Sequence, residues 1–392
     1  MAKWLRQIVF GDVDAMFASA AAVADPSLAG KPVAVGGPPP RGIIAAASYA
    51  VRAYGVYSAM PTAHALKLCP NLILVPPERP LYQRLHEQMR LVTDRFFPAT
   101  EWSSIDEFYA DATDLQLLHP DPAALGQTVK DALFEATGLR CTIAIAASKI
   151  VAKIAANAHK PDGLAIIEPG TEAAFLASRL VKALPGIGPK TADSLERIGV
   201  RTIGDLLEPR FEPPLRRIWG KRLPIVQALA LGRDDDPVVP DRERKSTGHE
   251  TTFDHDTNDP AVLEKTLRGF LAELTHELRL EGLAAGSFTV KLKDSTHRLT
   301  TKQHHFPKPL NDDPMMWKDI RAALQSLMVP QTKYRLAGVT LGDLVPATAG
   351  LFDQRRSKAL AAMDAIIEKH GTKSIGLGGL GGLGGLGGIR EE

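Results

Sequence analysis

Gln7-Ile-Val-Phe-Gly-Asp-Val-Asp14 reads as a short buried strand that ends in acids. Side chains alternate along a strand with a period of two, so Asp12 and Asp14 share one face at its end. Like charges that close repel unless a cation sits between them. Outward from this strand, Lys31-Pro-Val-Ala-Val-Gly-Gly37 reads as another, closed by Pro38-Pro39-Pro40, which no helix or central strand tolerates. Leu85, Met89, Val92 and Phe96 recur at helical spacing and predict an amphipathic helix over residues 81–97. Residues 104–111 are strand-like, Pro122–Thr137 helical and Cys141–Ala146 strand-like again. Strands interleaved with helices of this length indicate a mixed α/β sheet domain.

Further along, the texture becomes helical from about residue 176, with turns at Gly186-Ile-Gly188, Gly199 and Gly204. Residues 234–245 are charged and proline-broken, as a linker is. Beyond them Pro260–Leu280 is predicted helical, 286–293 and 296–304 are predicted paired strands, Asp313–Leu327 a helix and 334–344 a strand. This α+β module is large enough to hold its own core. Residues 354–370 read as a short helix, and 376–388 repeat Leu-Gly-Gly as a flexible extension.

The composition bounds the function. With 392 residues, 44% hydrophobic and 23% charged, the chain is expected to be soluble, globular and divided into two to four domains. A net charge of +2 does not advertise a polyanion partner, so nucleic-acid contacts must come from local patches. Cys69 and Cys141 are too few for a disulfide scaffold or a cysteine zinc site. No apolar run is long enough to span a bilayer and no leader is recognisable, so a cytoplasmic protein without membrane contact is expected.

A second acidic pair, Asp106-Glu107, sits in another strand-like segment. Together the two pairs can supply hard oxygen ligands for Mg²⁺, and two such ions can clamp the attacking and leaving oxygens of a phosphoryl displacement. Strand ends also carry solvated acids with no chemistry. The residues alone leave both readings open.

The surrounding text resembles the Y-family of translesion DNA polymerases, and within it the bacterial polymerase IV (DinB-like) group. The likeness covers residues 6–375 and is carried by Asp12-Val-Asp-Ala-Met-Phe17, Gly30-Lys-Pro-Val-Ala-Val-Gly-Gly37, Ser48-Tyr-Ala-Val-Arg-Ala-Tyr-Gly-Val-Tyr-Ser-Ala-Met-Pro61, Ser104-Ile-Asp-Glu107, Ser148-Lys-Ile-Val-Ala-Lys-Ile-Ala155 and His159-Lys-Pro-Asp-Gly163. It implies an α+β multidomain right hand: palm and fingers in 1–167, a helix-hairpin-helix thumb in 168–240, a little finger in 241–346, and a clamp-binding-like tail in 347–392. It implies template-directed, low-fidelity translesion synthesis in DNA repair and replication, by two-metal phosphoryl transfer and without proofreading. Asp12, Asp106 and Glu107 become the catalytic carboxylates holding two Mg²⁺ ions, with Mn²⁺ as a substitute and Asp14 in support. Adjacent strand residues face opposite ways, so Asp106 and Glu107 can share the site only where the strand ends or twists.

The resemblance also assigns the nucleotide pocket. Tyr49 and Arg52 match its triphosphate-binding pair, Lys160 its phosphate lysine, and Phe17 the steric gate whose ring would collide with a ribose 2′-OH. Without the motif, Arg52 and Lys160 read equally as surface charges, and Tyr49 and Phe17 as core aromatics. Ala46 stands where many relatives carry a hydroxyl, and Ala15 replaces an aromatic seen in some.

Leu184-Pro-Gly-Ile-Gly-Pro-Lys-Thr191 reads as the hairpin of a helix-hairpin-helix. Gly186 and Gly188 let backbone N–H groups approach a DNA phosphate, with Lys190 and Thr191 just beyond. Residues 179–222 hold ten Lys/Arg against five Asp/Glu, a local excess of five positive charges. In the little finger, Lys245, Ser246, Lys291, Lys293 and Arg298 are the expected phosphate contacts, followed by Lys302 and His304. Lys291 and Lys293 share a strand face. Leu351-Phe352 resembles the sliding-clamp peptide, with Thr348 in place of its leading glutamine; the alternative is a helix cap packed on its own domain. Primer-template DNA, deoxynucleoside triphosphate and a sliding clamp are therefore the expected partners of a monomer. A catalytically dead homologue would have lost the acids, and a plain helix-hairpin-helix binder would leave them and Phe17 unexplained.

Overall fold

The first strand, β1 (Ile8–Val13), is buried along its whole length. The computed structural model describes residues 4–240 and 243–347 together with Asp364, Ala365 and Lys369. The chain forms two units, Met1–Arg242 and Glu243–Glu392. After β1 the first continues through α1 (Met16–Ala24), β2 (Val33–Gly36), β3 (Ile44–Ala47), α2 (Tyr49–Arg52), α3 (Thr62–Leu68) and β4 (Ile73–Val75). Then come α4 (Arg79–Phe96), β5 (Thr100–Trp102), β6 (Glu107–Asp111), α5 (Pro122–Thr137), β7 (Cys141–Ala146), α6 (Lys149–His159) and β8 (Leu164–Ile166). The helical stretch that follows carries α7 (Glu172–Ala177), α8 (Pro189–Arg197), α9 (Glu212–Trp219) and α10 (Leu223–Ala230).

One sheet runs in the order β5-β6-β1-β7-β8 and a smaller one in the order β3-β2-β4. In the larger, β1 is antiparallel to both β6 and β7, with Asp12 opposite Glu107 on one side and Thr142 on the other. The period of two then sorts the side chains. Val9 and Val13 enter a core with α4 and α5, while Ile8 and Phe10 enter a core with α6 and the helices after it. Asp12, Asp14, Glu107 and Thr142 therefore lie on the α6 side. Gly11 lies on the other side beneath Phe108, where a Cβ would come within 2.2 Å of the ring. No residue larger than glycine fits there without moving that ring.

The local signals explain several boundaries. Asp121 accepts from the N–H of Ala123 and precedes Pro122, and Gly138, at φ 72°, closes the other end of α5. The strand expected over 104–111 begins only at Glu107, because Ser104 Oγ accepts from the N–H groups of Asp106 and Glu107 and holds a turn there. The expected linker is also shorter than its composition suggested. Residues 234–239 are fastened to the first unit by contacts of Arg6, Lys149 and Glu101.

The second unit runs β9 (Ser246–Thr257), α11 (Pro260–Leu280), β10 (Leu283–Asp294), β11 (Leu299–Leu310), α12 (Asp313–Leu327) and β12 (Tyr334–Pro346). Its antiparallel sheet has the order β11-β10-β12-β9. Phe288, Val290 and Leu292 pack with both helices on one face, and the alternate residues Thr289, Lys291 and Lys293 face away. β11 starts later than expected because Asp294 Oδ1 accepts from Thr296 N and Arg298 N and shapes the turn. Of the expected helix over 354–370, only Asp364, Ala365 and Lys369 are described; Leu351, Phe352, Thr348 and the Leu-Gly-Gly repeat lie outside the described residues.

Candidate functional site

The sheet brings Asp12 and Glu107 side by side, since directly opposed residues of an antiparallel pair point the same way. Asp106 precedes β6, and its carbonyl accepts from Val13 N at 3.0 Å. The two neighbouring acids thus meet the same region because the strand starts between them. Burial pushes the Asp12 carboxyl up to about 6; Glu107 and Asp106 push the same way, and Lys160 opposes them. Lys160 Nζ is 2.5 Å from Asp12 Oδ1, and Lys153 Nζ is 2.7 Å from Glu107 Oε2. Ser104 Oγ donates to Asp106 Oδ1 at 2.6 Å. Among the described residues, no group of three or more His, Cys, Asp or Glu side chains is gathered as a ready metal cage.

Asp14 has a different job. Its carboxylate accepts from Asp162 N at 2.6 Å, Thr142 Oγ at 3.1 Å and Tyr49 Oη at 3.3 Å. It joins β1, β7, α2 and the loop after α6 that carries Lys160. The 160–163 loop is fastened again by Lys130, which lies 3.0 Å from Asp162 Oδ1 and donates to the Gly163 carbonyl at 3.0 Å.

The nucleotide-pocket candidates cluster around these acids. Burial and the Asp14 carboxylate push the Tyr49 hydroxyl up to about 12, so it stays a hydrogen-bond donor at neutral pH. Arg52 holds its guanidinium 4.3 Å over the Tyr49 ring and donates from Nε to the Ala47 carbonyl at 3.0 Å, leaving its outer nitrogens directed by two anchors. Ala46 is buried in β3. Phe17 is half-buried at the start of α1 and stacks on Tyr82 of α4. Ala15, just before α1, has φ 49° and ψ 46°, a left-handed conformation that costs a non-glycine residue free energy.

Several participants escaped the sequence reading: Lys153, Thr142, Tyr82 and His86. His86 Nδ1 lies 3.0 Å from the Ile105 carbonyl, and burial holds the imidazole below the usual histidine range, so a neutral Nδ1–H donates to the turn that carries Asp106. The available signal was in α6, where Lys149 and Lys153 recur four apart within the otherwise apolar stretch from Lys149 to Ala156.

The nucleic-acid candidates divide. Gly186 has φ 91°, Gly188 caps α8, and nothing lies within 4 Å of a Cβ at either. The backbone there is open, with Lys190 exposed beside it and Thr191 half-buried. In the second unit the register forms rows across the open sheet face: Ser246, Gly342 and Ser287 in one, Glu250, Gly338, Lys291 and Thr301 in another, Thr252, Leu336, Lys293 and Leu299 in a third. Lys293 and Arg298 lie at one end with Lys291, whose Nζ is 3.4 Å from Glu250. Lys245 and Ser246 lie at the other end, six residues or about 20 Å along the strands. Lys302 and His304, exposed on the edge strand β11, lie on the other face of the sheet from Lys291 and Lys293. They pair with Val290 and Phe288 and so face the helices, where they border a cavity of about 250 Å³ with Asp319 and Ser326 of α12.

Comparison with known proteins follows the same division. The impB/mucB/samB family matches residues 11–157, and that family's C-terminal domain matches 244–354. A protein named DNA polymerase IV from Alkalilimnicola ehrlichii is 36% identical over 356 residues, 91% of this chain and 99% of that protein. Another of that name, from Methanoculleus marisnigri, is 38% identical over 346 residues, 86% of this chain and 94% of its own length. A Y-family DNA polymerase chimera of Dbh and Dpo4 superposes with a TM-score of 0.80 at 26% identity, covering 87% of this chain and 100% of the chimera. An insertion ternary complex of Dbh DNA polymerase gives 0.64 at the same identity and coverage.

Proposed function

The chain belongs to the impB/mucB/samB family and is a Y-family DNA-directed DNA polymerase, and on that premise we propose that Asp12, Asp106 and Glu107 are its catalytic carboxylates in low-fidelity translesion synthesis. The observation that carries this is the register of β1 with β6, which sets Asp12 against Glu107 with Asp106 in the turn just before the strand. The donor set suits a hard divalent cation: all ligands are carboxylate oxygens, and burial, with the neighbouring acids, raises the Asp12 carboxyl. These three residues would hold two Mg²⁺ ions, or Mn²⁺ in their place, which when bound supply charge compensation for the attacking and leaving oxygens.

The chain's own groups do the rest. The primer 3′-hydroxyl oxygen forms a bond to the α-phosphorus of the deoxynucleoside triphosphate as the bond to the β-phosphate bridge breaks, and the hydroxyl proton and pyrophosphate leave. Tyr49, Arg52 and Lys160 bind and orient the triphosphate through charge-assisted hydrogen bonds. Lys160 can exchange its Asp12 contact for phosphate, while Asp14 keeps its loop in place. Phe17, backed by Tyr82, fills the space a ribose 2′-OH would need.

In this reading residues 1–167 are palm and fingers, 168–240 thumb, 241–346 little finger and 347–392 a tail. Gly186, Gly188, Lys190 and Thr191 take one stretch of duplex backbone, and Lys245, Ser246, Lys291, Lys293 and Arg298 another. The protein works as a cytoplasmic monomer and does not excise mismatched primer ends. Leu351 and Phe352 engage a sliding clamp. Leu351→Ala with Phe352→Ala should leave distributive extension unchanged and remove clamp stimulation; stimulation that persists would assign the pair to the chain's own packing. Primer extension with Mg²⁺ by Asp106→Asn and Glu107→Gln tests the central assignment.

A further inference from the structure

Away from the carboxylates, the segment after α10 is fastened down by a cluster that the mechanism leaves without a role. Ser148 Oγ donates to the Gly232 carbonyl at 2.9 Å. Asp234 Oδ2 accepts from Ile150 N at 3.0 Å, satisfying an N–H of the first turn of α6. Arg6 donates to the carbonyls of Asp234 and Asp236. At the centre, Lys149, its side chain only 6% exposed, reaches Glu101 Oε2 at 2.5 Å and Asp236 Oδ2 at 3.1 Å. The same Glu101 oxygen accepts from Val239 N at 2.9 Å.

A lysine and a glutamate this deep lose their hydration, and apolar residues would fill the space as well. What the pair adds is a link between separate pieces of chain. Glu101 belongs to β5, which leads into the Asp106 turn; Lys149 opens α6, which carries Lys153; and residues 232–239 lead to the second unit. Lys149 also lies 5.2 Å over the Tyr109 ring, Tyr109 stands 4.8 Å from Phe10, and Lys153 lies over Phe10. The latch and the carboxylates thus share one continuous packed array.

We propose that Lys149 is a positioning residue that, with Glu101, latches residues 232–239 onto the first unit and so shortens the tether between the two units. With the latch closed, the tether from Val239 to Arg244, which pairs with Glu281 of the second unit, is residues 240–243, four in number. Without Lys149 and Glu101 it reaches back to Asp236, whose carbonyl Arg6 still holds, and becomes residues 237–243, seven in number. Effective concentration falls roughly as the −3/2 power of tether length, so this change weakens two-unit DNA binding about twofold. The inference rests on the reading that the second unit holds DNA.

The test uses the full chain. Lys149→Met with Glu101→Gln removes both charges together and leaves neither buried alone, and Asp236→Ala releases the half-exposed arm if the double variant does not fold. Hydrogen exchange at Val239 should accelerate, primer-template Kd should rise about twofold, and the KM for nucleotide at saturating DNA should stay at the parent value. Lys149→Arg should restore parent behaviour. Faster exchange with unchanged Kd, or no change in either, would overturn the latch. Lys291→Ala with Lys293→Ala in the parent separates the two ideas: if that change does not weaken DNA binding, the reading of the second unit fails instead.

Discussion

Phe17 rests on Tyr82, with ring centroids 4.3 Å apart and planes 28° from parallel. The gate proposed at Phe17 is therefore backed by a second ring, from α4, that lies outside the proposed nucleotide contacts. Phe17→Ala should raise ribonucleotide use relative to deoxynucleotide, read as the ratio of kcat/KM values. Tyr82→Leu should relax the same ratio by less, about 2–10-fold, matching the roughly 0.5–1.5 kcal/mol of an aromatic pair. Discrimination unchanged in Phe17→Ala would place the gate elsewhere.

Asp14 faces three donors, the Asp162 N–H, the Thr142 hydroxyl and the Tyr49 hydroxyl. Asp14→Ala strands them in a largely buried place, which should cost about 1–3 kcal/mol of stability in denaturant unfolding. Because the freed loop carries Lys160, the nucleotide KM should rise as well. Unchanged stability and unchanged KM together would contradict the clamp role of Asp14.

The sheet of the second unit has two chemically different faces. Lys291→Ala with Lys293→Ala should lower the slope of log K against log salt by about 0.9 for each duplex phosphate that is no longer neutralised. Lys302→Ala with His304→Ala, on the helix side, should leave the slope at the parent value. Equal effects from both pairs would mean that DNA does not lie on the open face.

This last contrast shows where sequence reading stops. Pro122–Thr137, Cys141–Ala146, Pro260–Leu280 and Asp313–Leu327 could be bounded from sequence because caps, prolines and periodicity are local. The candidate acids were legible too, whereas a shared site for Asp106 and Glu107 was implied only by the family resemblance. The face occupied by Lys302 was not legible, because a strand's register is fixed by its partner and one residue of slip reverses every side chain. Nor was the docking of Asp234 and Asp236: charge and proline read as linker, while the partners Arg6, Glu101 and Lys149 lie far away in sequence.

The most direct test of the account is primer extension with Mg²⁺ by Asp106→Asn and Glu107→Gln, with primer-template affinity measured on the same preparations. Both substitutions keep the side-chain shape and remove one negative charge from the group formed with Asp12. The account predicts that extension is abolished while DNA binding stays close to the parent, because the basic surfaces around Lys190 and on the second unit are untouched. Extension by either variant at the parent rate would contradict the assignment of these carboxylates to catalysis.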